Sequence, residues 1–416
     1  MIKHIEILPG VILVNAFDLE KKEINKSAVE VYFSAGGRYY EKGRRGVRHI
    51  LEHCLAKNQQ QYFVDQELAF NNINRNAGTG QFMMSTTASG FDDSVEIQLK
   101  LCLVNLNFND YTKSYFEKER KIVLSEIKPK LQRDLRVKHE EFYRFIIEDY
   151  NVVGKSVQEV VDVEACNLED LEREYEQIIS QSKIIINVMG VEIDPEKVKM
   201  AFLENIEFYD KFKASQNKII GRQKTKMICL DNKHFQHEAL ASTISLEYSF
   251  NNFDERFRKF GALLSNYLCY PVFGKLDKRL RQQLNYVYGV SFGADSNMDT
   301  YSISFNIEEV NLEDCLLELK KALENLVTEF EPELFNGFTK RLLTDLRYQN
   351  TLANWQNAIF MSSLLDGDAE IETIDDLIKF YEAVTEDEFK VQLQTLADSL
   401  LKDGIYFTES KVDVKL

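Results

Sequence analysis

Gly46-Val47-Arg48-His49-Ile50-Leu51-Glu52-His53 is the stretch from which the fold and the chemistry of this chain can both be read. Val47, Ile50 and Leu51 recur at helical spacing and continue into a helical segment over 47–57. His49 and His53, at i and i+4, share one helix face about 6 Å apart, a separation from which two imidazoles can grip one Zn²⁺. Glu52 falls on the same side, where a carboxylate can take a proton from a water held in the metal's open position. The spacing is H-x-x-E-H, the inverted form of the metalloprotease H-E-x-x-H. A zinc hydrolase needs one more protein ligand, which this motif must draw from elsewhere.

Working outward, apolar and alternating residues predict strands over 11–16 and 28–35, stopped by Gly36-Gly37. Beyond the motif come a helix over 65–73, a strand over 76–88, a helix over 92–106, and a long helical stretch over 111–137 that continues to 149. A strand over 184–189 and a helix over 195–205 close this half. After residue 226 the order partly repeats: a strand over 239–250, a helix over 255–269, strands over 286–292 and 300–307, then helices over 312–329 and 332–348. Both halves mix antiparallel-looking strands with long helices, which predicts an α+β protein rather than a doubly wound sheet.

The long helix supplies candidates for the missing ligand. Glu119 and Glu126 are seven residues apart, two turns along one face, so that one can bind a metal while the other orients a ligand histidine. Taken alone, such a pair on a charged helix reads as a solvated face.

Bulk properties bound the rest. A length of 416 residues predicts two domains: 1–210 with the zinc motif, a basic linker over 211–226, and 227–416. The linker holds Lys211, Lys213, Lys218, Arg222, Lys224 and Lys226 with no acid among them. A net charge of −16 argues against nucleic acid as a partner and predicts an acidic cleft favouring neutral or basic peptides. Six scattered cysteines without a CxxC pair imply neither a disulfide framework nor a thiolate zinc cluster. With no h-region at the N-terminus and no membrane-length apolar run, the expected location is cytoplasmic. His234-x-x-His237 is a weak second metal pair, and Trp355 reads as core.

Several segments together resemble a known family. Ala35-Gly36-Gly37-Arg38, Glu41, the 46–53 motif, Asn76-Ala77-Gly78-Thr79 and Glu119-(x6)-Glu126 are similar to the pitrilysin/insulinase (M16) inverzincin metallopeptidases, in their half-length, processing-peptidase-like form. The resemblance implies that His49, His53 and Glu126 bind one zinc per chain, that Glu52 is the base and that Glu119 supports the site. It implies two structurally similar α+β domains, each a mostly antiparallel sheet packed with long helices. It also implies that Asn76 and Ala77 begin a strand that pairs with the substrate backbone. In the second half, Leu280-Arg281 followed by Tyr288 matches the family's Leu-Arg then Tyr signature, so Arg281 and Tyr288 are expected to bind substrate and stabilise the oxyanion. Tyr288 alone reads as a buried strand aromatic. Cys54-Leu55-Ala56-Lys57 departs from the bulky residues and glycine-threonine turn of the family, which bears on the shape of the S1 pocket.

The expected function is a zinc endopeptidase that hydrolyses unfolded, leader or presequence peptides inside a closed dimer, a homodimer or a heterodimer with a related chain. The alternative is a non-catalytic or partner-dependent subunit that binds peptide. A zinc hydrolase of small molecules is a third class.

Overall fold

The computed structural model describes residues 1–18, 26–34, 46–80, 83–133, 147–148, 157–207, 209, 226–227, 234–238, 244–251, 255–295, 300–366, 372–403 and 405–410. They form two compact units. The first takes 1–137, 151–223 and 349–374, and the second 138–150, 224–348 and 375–416. The return of 349–374 to the first unit is a feature that a single cut between 210 and 227 does not describe.

The first unit is built on a six-stranded sheet of order β1-β2-β7-β3-β5-β4. Its strands are β1 (Ile2–Leu8), β2 (Val11–Ala16), β3 (Lys26–Ser34), β4 (Asn74–Thr79), β5 (Met83–Phe91) and β7 (Lys183–Met189). Only β2 and β7 run parallel; the other neighbours are antiparallel. The run Ile184-Ile185-Ile186 in β7 is fully buried because helices cover both faces. Ile184 and Ile186 face a core shared with Val29, Val31, Ile50, Leu51 and Val123. Ile185 and Val14 face the opposite way, against Phe360, Met361 and Leu364 of the Ala353–Asp366 helix. Trp355 of that helix, read from sequence as core, is 46% exposed.

The second unit carries a five-stranded sheet of order β11-β12-β10-β13-β9. Its strands are β9 (His234–Glu238), β10 (Ile244–Asn251), β11 (Val287–Asp295), β12 (Thr300–Ile307) and β13 (Ile405–Ser410). Again one pair, β9 with β13, is parallel and the rest are antiparallel. In chain order and pairing this sheet repeats β2, β3, β4, β5 and β7 of the first. In each unit a helix follows the second of these five strands: Val47–Leu55 after β3 and Glu255–Cys269 after β10. The α+β reading with two similar sheets therefore holds.

Three sequence readings change. The segment 76–88 is not one strand but the hairpin β4–β5, with Gly80 N–H donating to the Met83 carbonyl at 2.8 Å near its turn. Ile147–Glu148 (β6) pairs with Lys226–Met227 (β8), so no helix runs through to 149. Helices at Val157–Ala165, Leu168–Gln181, Ala353–Asp366, Ile374–Ala383 and Glu386–Asp403 have no counterpart in the sequence reading. The Ala35–Arg38 segment, Glu41 and the basic run up to Lys224 lie outside the described residues. No helix among the described residues is long and apolar enough to cross a membrane.

Candidate active site

The Val47–Leu55 helix is fixed before its polar face is considered. Val47, Ile50, Leu51, Cys54 and Leu55 are buried in the core. Arg48 is buried too, and its Nε donates to Glu174 Oε1 at 2.6 Å, tying the helix to Leu168–Gln181. At its start Gly46 takes φ 75°, and a Cβ there would stand 2.4 Å from Val163 Cγ2, so only glycine fits. With three sides held, the fourth presents His49, Glu52 and His53.

The Phe116–Arg133 helix packs against it. Phe116, Val123 and Ile127 bury one stripe, and Glu119 lies on that same stripe at 1% exposure. The solvated-face reading thus fails for Glu119. A buried carboxylate must be paired, and this one is gripped twice. Its Oε2 lies 3.1 Å from His53 Nδ1, and its Oε1 lies 3.1 Å from Lys57 Nζ. That contact on Nδ1 leaves His53 Nε2 to face outward.

Glu126, two turns on, meets both histidines: its Oε2 lies 3.5 Å from His49 Nε2 and 3.8 Å from His53 Nε2. The imidazole centroids are 4.9 Å apart with planes at 77°. One donor atom each from His49, His53 and Glu126 falls within 4.8 Å of the others, and no other such cluster occurs among the described residues. Two imidazole nitrogens and a carboxylate oxygen, with a carboxylate behind one histidine, fit a zinc ion that keeps a fourth position open.

Glu52 stands at the rim of this cluster, and its Oε2 accepts a hydrogen bond from Thr79 Oγ1 at 3.1 Å. Burial raises its carboxyl above the ordinary carboxylate range, while the His53 charge and the Thr79 bond pull it back. Thr79 was not singled out as a site residue in the sequence reading. Strand alternation carried the signal, since Ala77 and Thr79 share the face of β4 that looks toward the helix. Lys57 was likewise missed as the partner of Glu119.

His49, Glu52, His53 and Glu126 line an open cleft with Lys57, Arg75, Asn76, Ala77, Gly78 and Thr79. Among the described residues β4 is the outermost strand of its sheet, with no strand paired on its far edge, and Arg75 to Thr79 of it line that cleft. The lining of this part of the cleft sets two carboxylates, Glu52 and Glu126, beside two cations, Lys57 and Arg75.

These elements coincide with one family. Residues 18–146 match the model of Insulinase (Peptidase family M16). That segment of the chain is similar to the M16 family over the elements that carry His49, Glu52, His53 and Glu126. A protease from Helicobacter pylori has a similar fold, with a TM-score of 0.72 at 16% identity, over 99% of each chain. An inactive M16 peptidase domain from Pseudomonas fluorescens gives 0.74 at 11% identity, over 100% of this chain and 99% of its own. The periplasmic protease PqqL from Escherichia coli gives 0.70 at 11% identity, over 97% of this chain and 45% of PqqL. No curated protein sequence matches. At these identities the solved structures establish the fold and nothing finer.

In the second unit the Arg281 guanidinium lies 5.4 Å from the Tyr288 ring centroid, and its Nη1 lies 3.9 Å from Asp277 Oδ2. Tyr288 is 85% exposed, so it is not a core aromatic. Both sit on irregular backbone: Arg281 on a π-helical stretch, Asp277–Gln283, and Tyr288 where the β11–β12 register shifts. Such bulges re-aim side chains. Asp277 is buried and accepts the Val272 N–H at 2.8 Å, which fixes the base of this pair.

The thiols of Cys54, Cys102, Cys166, Cys269 and Cys315 are free and buried. Burial pushes those of Cys54, Cys166 and Cys315 up to about 12, so they carry no thiolate chemistry. Cys229 lies outside the described residues.

Proposed function

We propose that this chain is a zinc-dependent endopeptidase acting on extended, unfolded peptides. The observation that carries the reading is the convergence of His49, His53 and Glu126 donors within 4.8 Å, beside a carboxylate in the position of a base and an open strand edge. His49, His53 and Glu126 hold the metal, one ion per chain. When bound, zinc supplies the positive charge that polarises a scissile carbonyl and acidifies a water.

The chain's own residues do the rest. Glu52 takes the proton from the attacking water and passes it toward the leaving amine. Thr79 holds Glu52 in place, and Glu119 fixes the ring of His53. The edge of β4 at Asn76 and Ala77 receives the peptide as an added strand, so folded proteins are poor substrates. Arg281 and Tyr288 bind the substrate chain and stabilise the oxyanion. The working form is a homodimer in the cytoplasm, with leader or presequence peptides as natural substrates.

A second reading is a subunit that binds peptide without cleaving it, and the inactive domain from Pseudomonas fluorescens gives it a precedent in fold. One experiment separates the two. Zinc content and cleavage of a quenched random peptide library are measured for the purified chain and for Glu52→Gln. The peptidase reading expects zinc in both and turnover only in the former. Zinc-loaded wild type without turnover at any protein concentration would leave the binding subunit, and recovery on adding a related chain would make it half of a heterodimer.

A further inference from the structure

The cleft holds a cation that this chemistry does not use. Arg75, Ala77 and Thr79 alternate along β4 and so share one face. That face is keyed to the reacting groups, because Thr79 donates to Glu52 and Arg75 and Ala77 line the same cleft as His49, His53 and Glu126. At two residues per step Arg75 stands roughly 7 Å along the strand from Ala77, far enough to meet a different residue of a peptide laid along that edge.

The contacts of Arg75 leave it available. Its one ion pair among the described residues is to Asp65, whose side chain is 70% exposed; such pairs are weak and exchange readily. Its Nη1 is buried without a hydrogen-bond partner among the described residues. A guanidinium carries five donors in a planar fork that matches a carboxylate, and among the described residues the acceptor recorded for this one is Asp65, at Nη2. Lys57, the other cation of the cleft, is committed to Glu119.

Building on the peptidase reading, we propose that Arg75 selects peptides bearing an Asp or Glu side chain at one fixed position, about two residues to one side of the scissile bond. The substrate carboxylate replaces or joins Asp65 on the guanidinium. The substrate class is thus an extended peptide with a single acid in register with Arg75, rather than the neutral or basic peptide that net charge alone suggests.

The test uses end-blocked peptides, so that only side-chain carboxylates are presented, with Glu, Gln or Lys moved one position at a time around a cleavable bond. Affinity is read on the zinc-loaded Glu52→Gln protein and kcat/KM on the wild type. One position should favour Glu over Gln by about tenfold or more, the range of a charge-assisted contact. Arg75→Gln should erase that ratio while leaving the Gln peptide within about twofold, and Arg75→Glu should reverse it toward Lys. No favoured position, or a preference that survives Arg75→Gln, overturns the proposal. Peptides bound with this preference but never cleaved would overturn the peptidase reading and leave the assignment of Arg75 standing. Absence of any peptide binding would overturn both.

Discussion

The two sheets share a plan of five strands and differ in the helix that follows the second of them. In the first unit that helix, Val47–Leu55, keeps one polar face open and places His49, Glu52 and His53 on it. In the second, Glu255–Cys269 buries Phe257, Phe260, Leu263, Leu264, Tyr267 and Leu268. There Tyr267 and Phe260 meet the rings of Phe330, Phe380 and Phe389, and Tyr267 Oη accepts the Glu331 N–H at 2.9 Å. One helix keeps a polar face open to a cleft, and its twin is given to packing. The strands keep a common role: β4 carries Asn76 and Ala77, and its counterpart β11 carries Tyr288. In both units the residues proposed to meet a peptide sit on the corresponding outer strand.

This contrast can be broken by substitution at matched places. The largest effect is expected at the two twin helices. Glu52→Gln should lower kcat by about 10²–10⁴, the range of a lost general base, with zinc retained. Tyr267→Ala should cost about 3–5 kcal/mol of stability, read by denaturant unfolding, and leave zinc stoichiometry unchanged. If Tyr267→Ala emptied the metal site, the division of labour would be wrong.

On the edge strands, Tyr288→Phe keeps the ring over Arg281 and removes the hydroxyl. About a hundredfold loss in kcat/KM is expected for a lost oxyanion donor, with zinc affinity untouched; a change below twofold would strip Tyr288 of that role. Behind the ligands, Glu119→Gln preserves shape and removes the charge that holds His53 and Lys57. Zinc affinity by chelator competition should fall about 10–100-fold, and an unchanged affinity would make Glu119 a packing residue only.

The smallest effect concerns the metal-free protein. Burial raises the Glu52 carboxyl, so the folded state favours its protonated form and loses stability as pH rises through that raised value. Glu52→Gln lacks this cost. Its melting temperature should exceed that of wild type near neutral pH by a few degrees or less, with the gap closing on acidification. A gap that widened toward acid would reverse the assigned sign.

How much of this was legible in the sequence depends on local period. The motif helix and the Glu119–Glu126 spacing are helical repeats, readable at 3.6 residues per turn. The hairpin was not read, although Gly78 and Gly80 interrupt the strand-like composition at the turn, and it is the pairing that separates β4 from β5. Ala353–Asp366 escaped because it carries apolar residues around its whole circumference and offers no stripe. Leu168–Gln181 was readable, since Asn167 and Asp170 form a capping box at its start. The pairing of Glu119 with Lys57 and of Glu52 with Thr79 depends on helix and strand packing, which no spacing encodes.

The free edge of β4 has a consequence for the protein in concentrated solution. A row of unpaired backbone donors and acceptors that can receive a peptide can equally receive the same strand from another copy, the first step of edge-to-edge aggregation. β4 reads Asn74-Arg75-Asn76-Ala77-Gly78-Thr79, with no large apolar residue and a charge at its second position. Asn and Gly are poor strand formers, and copies stacked in register would bring arginine against arginine. The edge therefore gains little from pairing with itself and is left to chains that bring side chains of their own.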